Sequence, residues 1–304
     1  MSSVSLDKNE LQRRAYGVGA VACGVARCEP VGASAEEEFV CWLESGCHAS
    51  MDYMARHTDL RMDPEGLLPG CRSVISFAFS YFYPDSTVES DVVFARYALG
   101  DDYHDVIRRR LGEVAQWISE TTGAETRVCV DTAPLLERYW AVRAGIGFRG
   151  LNGLLIVPEA GSWVLLGEIL TSAVIEPDRP NKESCGKCRR CQVACPGKAI
   201  NGDGTIDSRR CRSYLTIESR EERLPEGLNL GKRIYGCDIC QEVCPWNRKP
   251  LVSTISEFAP RNEIVALSRQ DIVEMDQERF SAVFRKSAIK RAKLSGLRRN
   301  VISH

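Results

Sequence analysis

The stretch CGKCRRCQVACPG, residues 185–197, sets Cys185, Cys188, Cys191 and Cys195 at fixed short intervals and places proline directly after the last. A second run, YGCDICQEVCPWN (235–247), repeats the final two intervals through Cys237, Cys240 and Cys244, again followed by proline. Ile234 stands where an opening cysteine would belong. Cys-x2-Cys-x2-Cys-x3-Cys-Pro is the bacterial ferredoxin run for 4Fe–4S clusters, and in two-cluster proteins its fourth cysteine serves the other cluster. Three closely spaced thiolates wrap three corners of a cube, so the fourth must come from a distant segment. Cys211, in RRCRSYL, is the one unassigned cysteine nearby. Crossing the fourth ligands gives one set of Cys185, Cys188, Cys191 and Cys244, and another of Cys195, Cys211, Cys237 and Cys240. Zinc is the competing reading, because paired cysteines commonly bind it. Zinc has no use for a third cysteine two residues on, or for Cys-Pro, so the spacing favours iron–sulfur.

Two clusters suit stepwise electron delivery, yet a simple carrier needs far less chain than these 304 residues. Fourteen cysteines in a small exported domain would suggest disulfides. Here the N-terminus, MSSVSLDKNELQRRAYG, has no hydrophobic signal core, so a cytoplasmic protein with metal-binding cysteines is expected. No apolar run reaches membrane-spanning length, and no membrane partner is expected. Cys23, Cys28, Cys41, Cys47, Cys71 and Cys129 lie outside the two runs and are expected to be plain buried thiols. With a net charge of −1, any nucleic-acid contact must come from a local patch. Residues 285–299 supply one: Arg285, Lys286, Lys290, Arg291, Lys293, Arg298 and Arg299, with no acidic residue among them. A solvated helix face is the plainer reading of that stretch.

Periodicity predicts a helix over 6–17 and strands over 21–26, 73–83 and 91–99, with a turn at PDST (84–87). Ile107, Leu111, Val114 and Ile118 recur at helical spacing, and Gly123 reads as the helix stop. A strand at 126–131 should run into a helix of about 11 residues. Two strands joined around 158–161 should follow. This mixture indicates an α+β domain over residues 1–175, which holds the cofactor or substrate pocket. EPDRPNKES marks a boundary, giving a double-cluster domain at 176–250 and a helical segment at 251–304.

Neither GxGxxG after a strand nor a P-loop is present, so nicotinamide and nucleotide folds are unsupported. The Asp-x-His-x-x-Gly cobalamin box is also missing, and four histidines make a histidine-rich metal site unattractive. Asp131, in VDTAP, ends a predicted strand, which is where α/β folds present reactive groups. A competing reading has Asp131 or Thr132 capping the next helix, with Pro134 in its first turn. The glycine-rich AGIGFRGLNG (144–153) is either a plain loop or a place where backbone approaches a flat ligand.

Together, MDYMARH (51–57), ARYALGDDYHDVIRRRL (95–111), the segment 130–171, CRSYLTIE (211–218), the two cysteine runs and the basic tail resemble the epoxyqueuosine reductase family. The resemblance covers most of residues 50–250. It implies a nitroreductase-like cobalamin domain, a ferredoxin-like domain with two 4Fe–4S clusters, and a helical end that contacts tRNA carrying epoxyqueuosine. It also implies a low-potential electron donor of ferredoxin or flavodoxin type. By resemblance Asp131 is the proton donor beside the corrin. The cofactor pocket is expected to include Arg56, Tyr97, Asp131, Asn152, Leu155, Ser162, Leu166, Ser213, Tyr214, Cys237 and Asp238. A proton donor must be neutral near pH 7, so an apolar corrin face is expected to raise the pKa of Asp131. Leu151 stands where family members often have lysine, and longer members continue with HEAT-like repeats beyond the position of His304. Two alternatives are a corrinoid iron–sulfur reductase acting on a small molecule, as in reductive dehalogenases, and a non-catalytic electron-transfer module.

Overall fold

The computed structural model describes residues 6–84 and 90–302. In chain order, α1 (Lys8–Gly17) leads to β1 (Ala22–Arg27), α2 (Ala33–Glu44), α3 (Thr58–Met62), β2 (Ser73–Ser80) and β3 (Val93–Phe94). Then come α4 (Tyr103–Thr122), β4 (Thr126–Cys129), α5 (Glu137–Arg143), β5 (Phe148–Arg149), β6 (Leu155–Ile156) and β7 (Val164–Thr171). The cysteine-rich segment holds α6 (Arg190–Ala194), α7 (Arg212–Ile217), β8 (Arg233–Tyr235) and α8 (Ile239–Glu242). Four helices close the chain: α9 (Asn262–Val265), α10 (Arg269–Glu274), α11 (Gln277–Val283) and α12 (Lys293–Ile302).

A four-stranded antiparallel sheet in the order β1-β2-β7-β4 organises the first half. Successive side chains of a strand point to opposite faces, so central β2 divides its residues between two cores. Ile75, Phe77 and Phe79 meet α4 through Ile107, Leu111, Val114 and Ile118, all buried. Val74 packs on the other face with Trp140 of α5, Cys129 and Leu170. Every residue of β2 is buried, as expected of a strand covered on both sides. Gly167 of β7 allows α4 to lie this close, because a Cβ there would come within 2.7 Å of Leu111. Truncating Leu111 to alanine should cost about 2–5 kcal/mol.

α4 follows the predicted periodicity and ends at Gly123 in the left-handed region, φ 69°. Three expectations need correction. The strand expected over 91–99 is only Val93–Phe94, followed by a 3-10 turn at Arg96–Ala98. Its partner is β8, more than a hundred residues later, and the pairing breaks register after one residue. The helix after Asp131 is shorter than expected, because Asp131–Leu136 forms an irregular loop and the helix begins at Glu137. The two strands after residue 153 belong to different sheets, β6 pairing with β5 and β7 joining the main sheet. Most of the PDST turn lies outside the described residues.

A second core joins β3, α7 and β8 to the C-terminal helices. Val92, Phe94, Ile217, Ile234 and Tyr235 pack with Ile264, Ile272, Met275, Phe280, Phe284, Leu297 and Val301. Asn300, fully buried, donates from Nδ2 to the carbonyls of Thr216 and Ile234, both at 2.8 Å, and so ties α12 to the cluster segment. No described helix is long and apolar enough to cross a membrane.

Candidate active site

Asp131 lies just beyond β4 with φ 52°, a left-handed conformation that costs a non-glycine residue about 1–2 kcal/mol. Its side chain is 57% exposed. It does not cap α5: the N-cap is Leu136, with no side-chain bond, so the capping interpretation fails. Instead, the Tyr103 hydroxyl donates to Asp131 Oδ2 at 2.9 Å, and His104 Nε2 stands 3.0 Å from the same oxygen. The other ring nitrogen of His104 lies 2.6 Å from Asp102 Oδ1, and Asp102 also caps α4. Tyr103 and His104 are therefore the first turn of α4, aimed by the cap that starts the helix.

Protonation follows from these contacts. Burial alone would lower the His104 pKa, but bonding to Asp102 and Asp131 prevails and lifts it to about 9. Burial works to raise the Asp131 pKa, yet the bonds from His104 and Tyr103 outweigh it and hold the carboxyl below its usual range. These contacts favour an ionised Asp131 and a proton on His104, between two carboxylates. His104 and Tyr103 stand in the same DDYHD stretch that carried the family resemblance. The sequence signal was a histidine two residues after a helix-capping aspartate.

Directly behind the loop are two carboxyls of opposite character. Glu137 Oε1 accepts the Asp131 N–H at 2.5 Å. Burial, followed by the charge of Asp131, pushes the Glu137 pKa up to about 8. Glu168 is fully buried on β7, opposite Ser76 and Cys129 in the sheet. Burial, then Glu137, drives its pKa well above the carboxylate range.

Around Asp131 the surface is aromatic and cationic. Tyr97 meets Tyr103 edge to face at 6.0 Å, and its hydroxyl donates to that of Tyr235 at 3.2 Å. Tyr53 is 42% exposed and lies under the Arg291 guanidinium, 5.6 Å from the ring centre. The basic tail reaches this face through its backbone: the Asp102 N–H donates to the Lys286 carbonyl at 2.7 Å, and Tyr235 Oη to the Ala288 carbonyl at 2.8 Å. Three of the seven tail cations are spent on the fold. Arg291 pairs with Glu218, Arg298 donates to the Met275 carbonyl, and Arg299 binds the carbonyls of Leu215, Ser219 and Glu221. Arg285, Lys286, Lys290 and Lys293 stay exposed.

The remaining residues expected in the pocket fall into two neighbourhoods. Arg56 is exposed on the segment whose Ser50 hydroxyl lies 2.7 Å from the Tyr214 hydroxyl, with Ser213 beside it on α7. Asp238 is buried and accepts the Arg96 N–H at 2.8 Å, and burial pushes its pKa to about 6. Leu155 is buried and Leu166 half-buried in the core beside β6. Ser162 is buried, with its hydroxyl donating to Gln241 and accepting from Asn247. Asn152 is buried, and its Nδ2 has no hydrogen-bond partner.

Asn152 is one of the residues lining a hollow with Cys185, Cys188, Cys191 and Cys244, together with Leu151, Ile156 and Trp246. These are the four thiols of the first crossed set. Cys195, Cys211, Cys237 and Cys240 influence one another electrostatically in the same manner. Among the described residues no three His, Cys, Asp or Glu side chains converge on a single metal ion. All eight thiols are half-buried, and burial raises Cys240 far above an ordinary thiol. Of the other six cysteines, Cys47, Cys71 and Cys129 are buried as expected. Cys23 and Cys28 are half-buried, and Cys41 is exposed on α2.

Comparison with known proteins gives a consistent result. Residues 61–132 match the family described as "Epoxyqueuosine reductase QueG, DUF1730", and residues 184–247 match a "4Fe-4S double cluster binding domain". The epoxyqueuosine reductase of Prochlorococcus marinus (strain NATL2A) is 36% identical, over 99% of this chain and 98% of the relative. A crystal structure of an epoxyqueuosine reductase with an epoxyqueuosine-modified tRNA-Tyr stem loop superposes with TM-score 0.89 at 29% identity, over 97% of this chain and 80% of that one. A Bacillus subtilis epoxyqueuosine reductase, captured with an aspartate-bearing catalytic loop swung out of its active site, gives 0.88 at 28% identity, again over 97% and 80%. A catabolic reductive dehalogenase shares the fold alone, with TM-score 0.51 at 16% identity over 98% of this chain and 38% of that one. The double-cluster segment, the Asp131 loop and similarity along nearly the whole length agree, and the chain belongs to the epoxyqueuosine reductase family.

Proposed function

We propose that this protein reduces the epoxide of epoxyqueuosine in tRNA to the alkene of queuosine, consuming two electrons and two protons and releasing water. The observation that carries this reading is the Tyr103–His104–Asp131 network on an exposed aromatic face, with the backbone of the cationic tail hydrogen-bonded to its Asp102 end. Both bonds to Asp131 fall on Oδ2, which leaves Oδ1 for a substrate oxygen. His104 holds a proton at neutral pH and passes it through Asp131 to the departing oxygen. Tyr53, Tyr97 and Tyr103 offer stacking surface for a base splayed from the anticodon loop. Arg285, Lys286, Lys290 and Lys293 meet its phosphates.

Eight thiolates hold two 4Fe–4S clusters, in the sets Cys185/Cys188/Cys191/Cys244 and Cys195/Cys211/Cys237/Cys240. Cobalamin, when bound, supplies the two-electron chemistry at the epoxide carbon. The unpartnered Asn152 amide is a buried donor suited to it. Asn152, Leu155, Leu166, Ser162, Arg56, Tyr97, Ser213, Tyr214, Cys237 and Asp238 are assigned to its pocket. A protein that meets tRNA inside the cell would carry out this reaction in the cytoplasm, drawing electrons from a low-potential donor of ferredoxin or flavodoxin type.

The test is anaerobic reconstitution with iron, sulfide and cobalamin, followed by incubation with epoxyqueuosine-containing tRNA and mass analysis of its nucleosides. Loss of one oxygen from the modified base is the expected result. An unchanged base in the presence of intact clusters and bound cobalamin would overturn the proposal.

A further inference from the structure

A charged surface borders one thiol of the first cluster set. An open recess of about 740 Å³ is lined by Arg189, Arg190, Val193, Glu242, Cys244 and Arg248, among others. All three arginines are exposed. Glu242, the acid among these residues, is neutralised by Arg233, which reaches its two oxygens at 2.8 and 3.0 Å. The surrounding chain is equally one-sided. Residues 185–200 carry Lys187, Arg189, Arg190 and Lys198, and residues 243–250 carry Arg248 and Lys249, with no acid in either stretch. The chain as a whole is nearly neutral, so this concentration is local. Within the cationic recess Val193 is 72% exposed, a large apolar side chain on the short helix that also bears Cys191. An apolar centre with a charged rim, on a small area, is the form of a transient protein–protein contact.

We infer that the Arg189–Arg190–Arg248 recess is the docking surface for an acidic, one-electron donor protein, and that electrons enter through the cluster held by Cys185, Cys188, Cys191 and Cys244. This deepens the functional reading above and rests on it. Each docking event passes one electron from the reduced donor to the oxidised cluster, with no proton transferred. Two such events supply the two electrons that the epoxide consumes. Cys244 forms part of the recess lining, and no thiol of the other set is among its lining residues. RNA is the other polyanion to weigh. The cationic tail already reaches Asp102, at the end of the Asp131 network, through the Lys286 carbonyl. An exposed valine in the same recess as a cluster thiol suits a protein face better than a phosphate backbone.

The experiment uses the full chain with both clusters reconstituted, a purified acidic flavodoxin in its hydroquinone state, and dithionite as a small reductant. Cluster bleaching is followed by stopped-flow absorbance, and binding of flavodoxin and of a tRNA stem loop is titrated separately. Arg190→Glu with Arg248→Glu should slow bleaching by flavodoxin and weaken its binding, each by roughly tenfold or more, and should remove the salt dependence seen in the wild type. Bleaching by dithionite and stem-loop affinity should not change. Wild-type rates with flavodoxin, or lost stem-loop affinity with flavodoxin binding intact, would overturn the inference. Should the double reversal impair cluster assembly, the neutral pair Arg190→Gln and Arg248→Gln decides: a selective loss with flavodoxin supports docking, and equal rates refute it. Epoxide reduction driven by dithionite tests the catalytic reading independently of this surface.

Discussion

Asp131 and Glu168 sit near the same end of one sheet and differ in nearly every physical respect. Asp131 is a surface side chain on a strained loop, and two donors keep it ionised. Glu168 is a strand residue with no exposed area, kept protonated by burial. Glu137 bridges them, accepting from the Asp131 backbone while its own pKa rises to about 8. The contrast teaches that residue type does not identify the acid in this site. The exposed aspartate is hydrogen-bonded to His104 and held ionised, and burial keeps the glutamate carboxyls protonated within the fold. The Glu137 contact ties the Asp131 backbone to the first residue of α5.

The comparison breaks most directly at Asp131. Asp131→Asn should retain both clusters and lower turnover by about 100-fold or more, because an amide neither takes a proton from His104 nor delivers one. Cluster absorbance and nucleoside mass analysis read the two outcomes separately. Near-normal turnover would return Asp131 to a merely structural role.

His104→Gln comes next, with a fall of roughly tenfold or more if the imidazolium is the proton source. The pH profile sharpens this. Wild-type activity should hold through neutrality and decline as pH approaches 9, where His104 loses its proton, and the variant should lack that alkaline limb. The same residue affects stability. Its folded pKa is raised, so its contribution is complete below the unfolded value near 6.5 and is lost as pH rises through about 9.

The buried pair gives a smaller, thermodynamic signal. In the unfolded chain Glu168 ionises above about pH 4.5, while the folded chain keeps the proton. The unfolded state therefore binds fewer protons, and stability falls as pH rises above that point. The slope is about 1.4 kcal/mol per pH unit for one such group, until the folded carboxyl titrates. Glu168→Gln should flatten this dependence in urea unfolding between pH 5 and 8. An unchanged slope would show that Glu168 is not the group responsible. Glu137→Gln should have the smallest effect, because its amide oxygen still accepts the Asp131 N–H. Glu137→Ala, which removes that acceptor, should cost about 1 kcal/mol and raise loop mobility in hydrogen exchange.

Several features were legible before any fold was known, and for one reason: they depend on short stretches of chain. The period of Ile107, Leu111, Val114 and Ile118 fixed α4 and its buried face, and Gly123 marked its end. The stretch at 91–99 misled because its β-rich composition reflects burial against Tyr235 and Phe284 rather than an extended ladder. The basic tail was legible as charge. That three of its arginines serve backbone carbonyls or Glu218 was not, because those partners lie 23 to 84 residues away.

By itself the sequence determined the two runs of closely spaced cysteines, since residues a few bonds apart stay near one another wherever the rest of the chain goes. Tertiary structure alone decided which groups hydrogen-bond Asp131 and which thiol borders the arginine-lined recess. Both are questions of solvent access and of partners distant in the chain, and no local spacing encodes either.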